Sequence, residues 1–249
     1  MTLDDKVAIV TGAGRGLGRE YAQSFAREGA AVVIADVDND SAQAAAADIR
    51  EGGGRCIAVT VDVTDAASVG EMVAATVAEF GGVHVLVNNA GIWGDLERAK
   101  LTEIDPGYWD FVMAVNLKGP LLCSAAAVPA MREQGWGRIV NIASIGAWRP
   151  SGVYGVSKLG LIQLTYAMAT EVGSDGITVN AIAPGTIDNE ATQRQVPPAV
   201  IERLVSQNAV KRAGTAADMY GMIRYLCSDD AAWVTGQTFA IDGGFTFRP

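Results

Sequence analysis

The sequence predicts an α/β fold: a doubly wound, seven-stranded parallel sheet flanked by helices, forming one domain over residues 1–249. Three observations predict it. Short β-branched runs alternate with helical patterns from one end of the chain to the other, as strand–helix–strand units with right-handed crossovers require. Several of the runs are apolar at every position, as strands covered on both faces must be. No linker, charge block, low-complexity tract or internal repeat divides the chain.

The first strand is Lys6–Val10, and TGAGRGLG (Thr11 to Gly18) turns the chain into a helix over Leu17–Glu28. A second strand, Ala31–Asp36, precedes a helix over Asn39–Glu51, and a third, Ile57–Val61, precedes a helix over Ala66–Phe80. The fourth, Val83–Asn88, leads to a long helical pattern from Ile104 to Arg132, where Pro120 and Pro129 predict a kink or a break. Strand five (Arg138–Ala143), a helix over Tyr154–Val172, strand six (Thr178–Ile182), a helix over Ala216–Ser228 and strand seven (Thr238–Ile241) complete the alternation. Pro184 to about Val196 reads as the largest irregular segment. It lies beyond the carboxyl edge of the sheet, where such folds bind ligands, and makes 184–210 a candidate lid.

Composition bounds the function. A 49% hydrophobic chain can bury a sizeable core, while a net charge of −9 argues against a nucleic-acid partner. Cys56, Cys123 and Cys227 are isolated, and the chain has one histidine, so neither a disulfide framework nor a metal site is expected. The acidic opening MTLDDK does not read as a secretory signal, and no apolar run reads as long enough to span a bilayer. A cytoplasmic protein with no membrane partner is the expectation.

The turn after the first strand carries the first chemical signal. Gly12, Gly16 and Gly18 let backbone approach a pyrophosphate, whose charge is favoured at a helix N-terminus. The string departs from the G-x-G-x-x-G pattern, because Leu17 stands where its third glycine falls. A glycine turn alone can be only a tight connection; its strand–turn–helix setting favours nucleotide binding. Asp36 ends strand two, about 18 residues beyond the last glycine. A carboxylate there accepts hydrogen bonds from ribose hydroxyls and repels a 2′-phosphate, favouring NAD over NADP. Val37 adds no positive charge beside it, although Arg15 in the turn can reach a 2′-phosphate.

TGxxxGxG at the first turn, Asp62-Val63, NNAG at Asn88–Gly91, Asn116, Ser144, YGVSK at Tyr154–Lys158 and Pro184-Gly185 occur in this order. The ordered set resembles the short-chain dehydrogenase/reductase family in its compact form of about this length, over essentially the whole chain through TGQTFAIDGG. The resemblance implies a single-domain Rossmann fold with strand order 3-2-1-4-5-6-7. It implies that Asp62 and Val63 hold the adenine ring, and that Asn89, Ala90 and Gly91 line the cofactor while Asn88 braces the sheet. Pro184, Gly185 and Ile187 would flank the nicotinamide. Asn189 stands where many members carry a threonine that contacts the carboxamide.

Tyr154 and Lys158 are four residues apart, which on a helix places them on one face, a turn from each other. A free tyrosine, with a pKa of about 10, is a poor base near neutrality. A neighbouring ammonium favours the phenolate and is expected to pull that value down. In isolation the pair is a common surface motif; its place after strand five gives it meaning. The resemblance makes Tyr154 the acid for carbonyl reduction and the base for alcohol oxidation, and gives Lys158 the nicotinamide ribose. It assigns Ser144 the substrate oxygen, an oxyanion-type role, and Asn116 a water that links the lysine to solvent. Ser144 and Tyr154 are 10 positions apart, about three fewer than is usual in the family, so the loop Ile145–Val153 is expected to reshape the pocket and keep the pairing.

Trp93 and Trp148 fall in loops after strands four and five and are candidates for an apolar pocket wall, the alternative being packing between loops. His84, at the start of a strand away from the ligand edge, reads as structural. The expected substrate is a ketone or secondary alcohol, 3-oxoacyl or cyclic. The alternatives are a nucleotide-sugar epimerase or dehydratase, and a non-catalytic NAD-binding sensor. Relatives of the first kind carry a larger C-terminal domain; those of the second tend to lose the tyrosine or lysine. The resemblance further implies a homotetramer.

Overall fold

The computed structural model describes residues 3–93 and 100–247. Seven parallel strands form one sheet: β1 Val7–Thr11, β2 Ala31–Asp36, β3 Cys56–Thr60, β4 Val85–Asn88, β5 Gly137–Ile142, β6 Ile177–Pro184 and β7 Thr238–Ile241. Their order is β3-β2-β1-β4-β5-β6-β7, so the chain winds outward both ways from β1 and β4. That reversal opens a crevice at the carboxyl ends of β1 and β4, the switch point at which ligands bind in such sheets.

Nine helical stretches connect the described strands: α1 Gly16–Arg27, α2 Asn39–Glu51, α3 Ala66–Phe80, α4 Pro106–Met113, α5 Gly119–Gln134, α6 Gly152–Val172, α7 Glu190–Gln195, α8 Pro198–Gln207 and α9 Ala216–Leu226. Strand alternation divides the core in two. Ala8, Val10, Val32 and Ile34 face α1, α2 and α9, where Phe25 meets Tyr220 edge-on at 5.3 Å. Ile9, Val33, Leu86 and Ile139 face α3, α5 and α6. Three helices begin where carboxylates cap them: the Asp38 side chain accepts from Ser41 N, that of Asp65 from Ala67 N and Ser68 N, and that of Asp105 from Tyr108 N.

The structure corrects three expectations. The long fourth helical pattern is interrupted not at Pro129, which lies inside α5, but at a π turn over Ala114–Lys118. Gly119 N donates to Ala114 O, five residues back, and Pro120 just beyond has no N–H to give. The continuous helix Pro106–Gln134 is also long and apolar enough by length and composition to cross a membrane, contrary to the expectation that no segment would be; 44% of its most apolar window is buried in the domain. The third correction concerns residues after β6. The segment 184–196 is not irregular throughout: its second half forms α7, because Asn189 caps that helix by accepting from Thr192 N, and just beyond it Pro198 fills the first turn of α8, where its missing N–H costs nothing.

His84 sits at the amino end of the sheet, where its Nδ1 accepts from Val7 N at 3.2 Å. Burial holds its pKa below the ordinary imidazole value, with the Lys6 cation acting in the same direction and Asp5 opposing. The fold therefore prefers the neutral ring. Its contribution to stability is full above the unfolded pKa near 6.5 and is lost as pH falls through it towards the folded value. Between about pH 7.5 and about pH 5.5 the Tm of wild type is expected to fall further than that of His84→Gln, whose amide oxygen also accepts from Val7 N but does not titrate. Parallel Tm curves would contradict this.

Candidate active site

The Gly12–Gly18 turn leaves β1 at the carboxyl edge and is stitched to the strand beside it. Asn89 Nδ2 donates to Thr11 O at 2.9 Å and Gly12 O at 3.0 Å, while Asn89 N and Ala90 N both donate to Thr11 Oγ1. Gly12 has φ +63°, and a Cβ there would lie 2.8 Å from Ala90 Cα. At Gly18 a Cβ would collide with Gly12 O and lie 2.5 Å from Asn89 Nδ2. Gly16, at φ +57°, opens instead into empty space. No side chain caps α1, and no acid stands in its first turn. The first amides of this helix therefore lack side-chain partners beside a cradle that a Cβ would fill, an arrangement that fits a pyrophosphate. Gly18→Ala is expected to weaken dinucleotide binding at least about tenfold in a fluorescence titration with NADH; unchanged affinity would contradict the cradle.

A cleft of about 710 Å³ extends from this turn over β2 and β3, lined by Gly12, Arg15, Gly16, Asp36, Val37, Asp62, Val63, Asn89, Ala90, Gly91 and Trp93 among others. Asp36 is held at the end of β2: Oδ2 accepts from Gly14 N at 2.8 Å and Oδ1 from Asp38 N at 3.1 Å. Hydrogen bonds from the Thr64 hydroxyl and Thr64 N keep the Asp62 carboxyl below its usual range. Asn88, by contrast, points into the sheet and donates to Asn141 Oδ1 and Ser124 Oγ.

A second hollow of about 600 Å³ shares Arg15, Gly16, Asn89, Gly91, Ile92 and Trp93 with the first. Leu17, Gly18, Ser144, Tyr154, Lys158, Pro184, Gly185, Ile187 and Asn189 line it. Ser144 follows β5; its Oγ accepts from Gly146 N at 3.0 Å and lies, with the Tyr154 ring, against Gly146, close enough to draw the phenol pKa down. The short loop reaches Tyr154 because two glycines let it press on α6. A Cβ at Gly146 would lie 3.1 Å from Tyr154 Cε1, and one at Gly155 would lie 2.8 Å from Gly146 O.

Lys158 stands one turn further along α6 and is 5% exposed. Its Nζ donates to Ile142 O at 2.8 Å and lies 5.8 Å from the centre of the Tyr154 ring. The expected depression of the phenol pKa is not what this packing produces. Burial pushes the Tyr154 phenol up to about 12, with the Ser144 hydrogen bond drawing it partly back, and pushes the Lys158 ammonium down to about 8. Desolvation disfavours both charged forms and is the leading cause at each.

Asn116, fully buried in the π turn, stands behind the cleft and does not line it. Its Oδ1 accepts from Ile92 N at 2.7 Å, and its Nδ2 donates to Ile92 O and to Ser157 Oγ. The wider turn thus aims an amide at the β4 loop and at α6 together. Trp148 is not brought to the cleft: it ends a 3-10 turn, Ile145–Trp148, and packs with Ala143, Ala147 and Ile162. Trp93, 39% exposed, does line it. Residues the sequence reading missed include Arg149, Thr192, Val196 and Leu204. The last three fall within the 184–210 segment read as a candidate lid, Thr192 in α7, Leu204 in α8 and Val196 between them, and two adjacent prolines hid the helical spacing that would have singled them out.

Residues 12–246 match a model of the enoyl-(acyl carrier protein) reductase family. An uncharacterised oxidoreductase of Mycobacterium tuberculosis is 45% identical over 245 residues, covering 98% of this chain and 99% of its own. A hydroxy(phenyl)methyl-succinyl-CoA dehydrogenase subunit of Thauera aromatica is 38% identical over 251 residues, with 98% of each chain covered. A solved structure assigned to the short-chain alcohol dehydrogenases, from Sinorhizobium meliloti 1021, superposes with a TM-score of 0.90 at 33% identity, over 98% of this chain and 97% of that one.

Proposed function

Because the chain belongs to the short-chain dehydrogenase/reductase family of oxidoreductases, we propose that it interconverts a carbonyl and a secondary alcohol with NAD, Tyr154 carrying the proton. The observation that carries this reading is the Ser144 hydroxyl against the Tyr154 phenol, with Lys158 one turn away, in the same cleft as the glycine cradle. The nicotinamide, when bound, supplies or accepts the hydride. The rest falls to the chain's own groups. Ser144 Oγ hydrogen-bonds the substrate oxygen and steadies its developing charge. Tyr154, its pKa raised by burial, is protonated at neutral pH and donates to that oxygen during reduction. Alcohol oxidation needs the phenolate, so its rate rises as pH rises towards the alkaline range. Lys158 anchors the far side through Ile142 O and supports the nicotinamide ribose, and Asn116 fixes Ile92 and Ser157 around it.

Pro184, Gly185, Ile187 and Asn189 are read as flanking the nicotinamide, and Asp62 with Val63 as holding the adenine. Segment 184–210 is read as the lid, now a helical one, with Thr192, Val196 and Leu204 facing the substrate end. Asp36 favours NAD, since its anchored carboxylate would repel a 2′-phosphate. Asp36→Ala is accordingly expected to reduce the ratio of NADH- to NADPH-dependent kcat/KM by about tenfold or more, and a wild type faster with NADPH would defeat this reading.

A homotetramer is proposed from exposed apolar residues on the long helices and the C-terminal region: Phe111, Leu121, Leu159, Tyr166, Trp233 and Phe247. The same faces account for the apolar helix Pro106–Gln134 without a membrane. A cytoplasmic location and the lack of a nucleic-acid partner are proposed from the acidic surface. The experiment that tests the activity is a panel of ketones scanned with NADH and NADPH by nicotinamide absorbance. Consumption with ketone present is expected; no consumption with either dinucleotide would contradict the proposal.

A further inference from the structure

The substrate end of the cleft differs in charge from the rest of the chain. The chain carries 28 acids against 19 lysines and arginines, yet among the described residues that hollow is lined by Arg15, Arg149 and Lys158 and by no carboxylate. Arg15 belongs to the glycine turn and Lys158 to the proton-transfer pair. Arg149 belongs to neither. It caps the turn Ile145–Trp148 on the loop between Ser144 and Tyr154, and its guanidinium carbon lies 4.6 Å from the centre of the Phe245 ring. An aromatic plate orients the planar fork without neutralising it. No carboxylate pairs with Arg149 among the described residues.

The loop that carries it is held against the catalytic helix. A Cβ at Gly155 would lie 3.3 Å from Arg149 O and 3.1 Å from Ser151 Cβ, so the backbone here lies against the first turn of α6. The remaining lining near this loop and the lid mixes apolar side chains, Ile145, Pro150, Val196 and Leu204, with neutral polar ones, Ser151, Thr186, Asn189 and Thr192. Arg149 is exposed at the mouth of the hollow; a neutral, wholly apolar substrate seated against it would cover part of its water shell and offer its donors nothing in return, which is unfavourable. An anion would use them in a charge-assisted, two-pronged contact. In a chain of net charge −9 the surrounding field otherwise repels anions, so a cationic mouth selects them locally.

We infer that Arg149 is a specificity-determining residue that receives an anionic oxygen group, a carboxylate or a phosphate, carried by the apolar ketone or alcohol substrate. The inference rests on the dehydrogenase reading for the reacting carbonyl, but not for the anion contact. Two matched pairs of probes test it on the full protein saturated with NADH or NADPH. In the first, 4-acetylbenzoate is compared with its methyl ester, which removes a carboxylate from the body of the ketone. In the second, acetoacetyl-CoA is compared with acetoacetyl-N-acetylcysteamine, which removes the phosphates of the carrier. Calorimetric binding and dinucleotide consumption are read on the same samples.

The anionic member of at least one pair is expected to bind about tenfold or more tightly than its neutral partner. That ratio is expected to fall towards one in Arg149→Gln and to an intermediate value in Arg149→Lys, which keeps the charge and loses the fork. Preference confined to the first pair identifies a carboxylate, and preference confined to the second a phosphate. Equal binding within both pairs, or a preference that survives Arg149→Gln, overturns the inference. Anion-selective binding with no turnover overturns the dehydrogenase reading and leaves the Arg149 contact standing; turnover without anion selectivity does the reverse.

Discussion

Tyr154→Phe is expected to lower ketone reduction by about 10²–10⁴-fold, the usual contribution of a positioned acid or base, while NADH binding stays near that of wild type. The substitution removes one oxygen from a half-buried ring and leaves its packing against Gly146 intact. The oxygen is the group that meets Ser144 and, in this account, the substrate carbonyl. The dinucleotide cradle is built from the Gly12–Gly18 turn and Asn89, which the phenol does not brace. Steady-state kinetics and a fluorescence titration on the same preparation separate the two effects. Retained turnover would remove Tyr154 from the chemistry. Lost NADH binding would make it a structural residue.

Lys158→Met is expected to cost at least about 10²-fold in kcat/KM and, unlike the tyrosine change, to raise the KM for NADH. Methionine fills a similar volume but takes a donor from Ile142 O, which lies inside the site, and removes the one buried ammonium beside the phenol. The sign of the pH effect follows from its lowered pKa. At about 8 the ammonium is charged through neutrality and begins to lose its proton in the mildly alkaline range, so wild-type rates are expected to bend there. The Lys158→Met profile is expected to lack that bend. A variant with an unaltered pH profile and unaltered KM for NADH would show that the lysine is packing alone.

Much of this was legible in the chain because the signals are local. Asn39–Glu51 and Ala66–Phe80 have the boundaries read from sequence, since Asp38 and Asp65 cap their starts and Gly52 and Gly81 follow their ends. The Tyr154–Lys158 spacing required only that the segment be helical. What failed depended on tertiary surroundings. The π turn around Asn116 has no residue pattern of its own; it follows from Pro120 and from the pull of Ile92 and Ser157 on one amide. Position alone left Trp148 open between a pocket wall and packing between loops, and a turn of the shortened loop decides for packing, against the cluster of Ala143 and Ile162. Spacing likewise implied a lowered tyrosine pKa, whereas burial of both partners reverses the direction. Arg149 was overlooked because an arginine in a loop carries no signal until Phe245, about a hundred residues later in the chain, closes beneath it.

The most direct test of the central claim is isotopic. NADH carrying deuterium at the nicotinamide C4 is incubated with the wild-type protein and a ketone from the panel, and the alcohol formed is examined by mass spectrometry and NMR. Deuterium at the carbinol carbon, from one C4 face of the dinucleotide and accumulating about 10²–10⁴-fold more slowly with Tyr154→Phe, is the predicted result. An epimerase or dehydratase would return its hydride to the same substrate molecule, and a sensor would transfer none. Protein that binds NADH yet delivers no deuterium to any ketone in the panel would contradict the account.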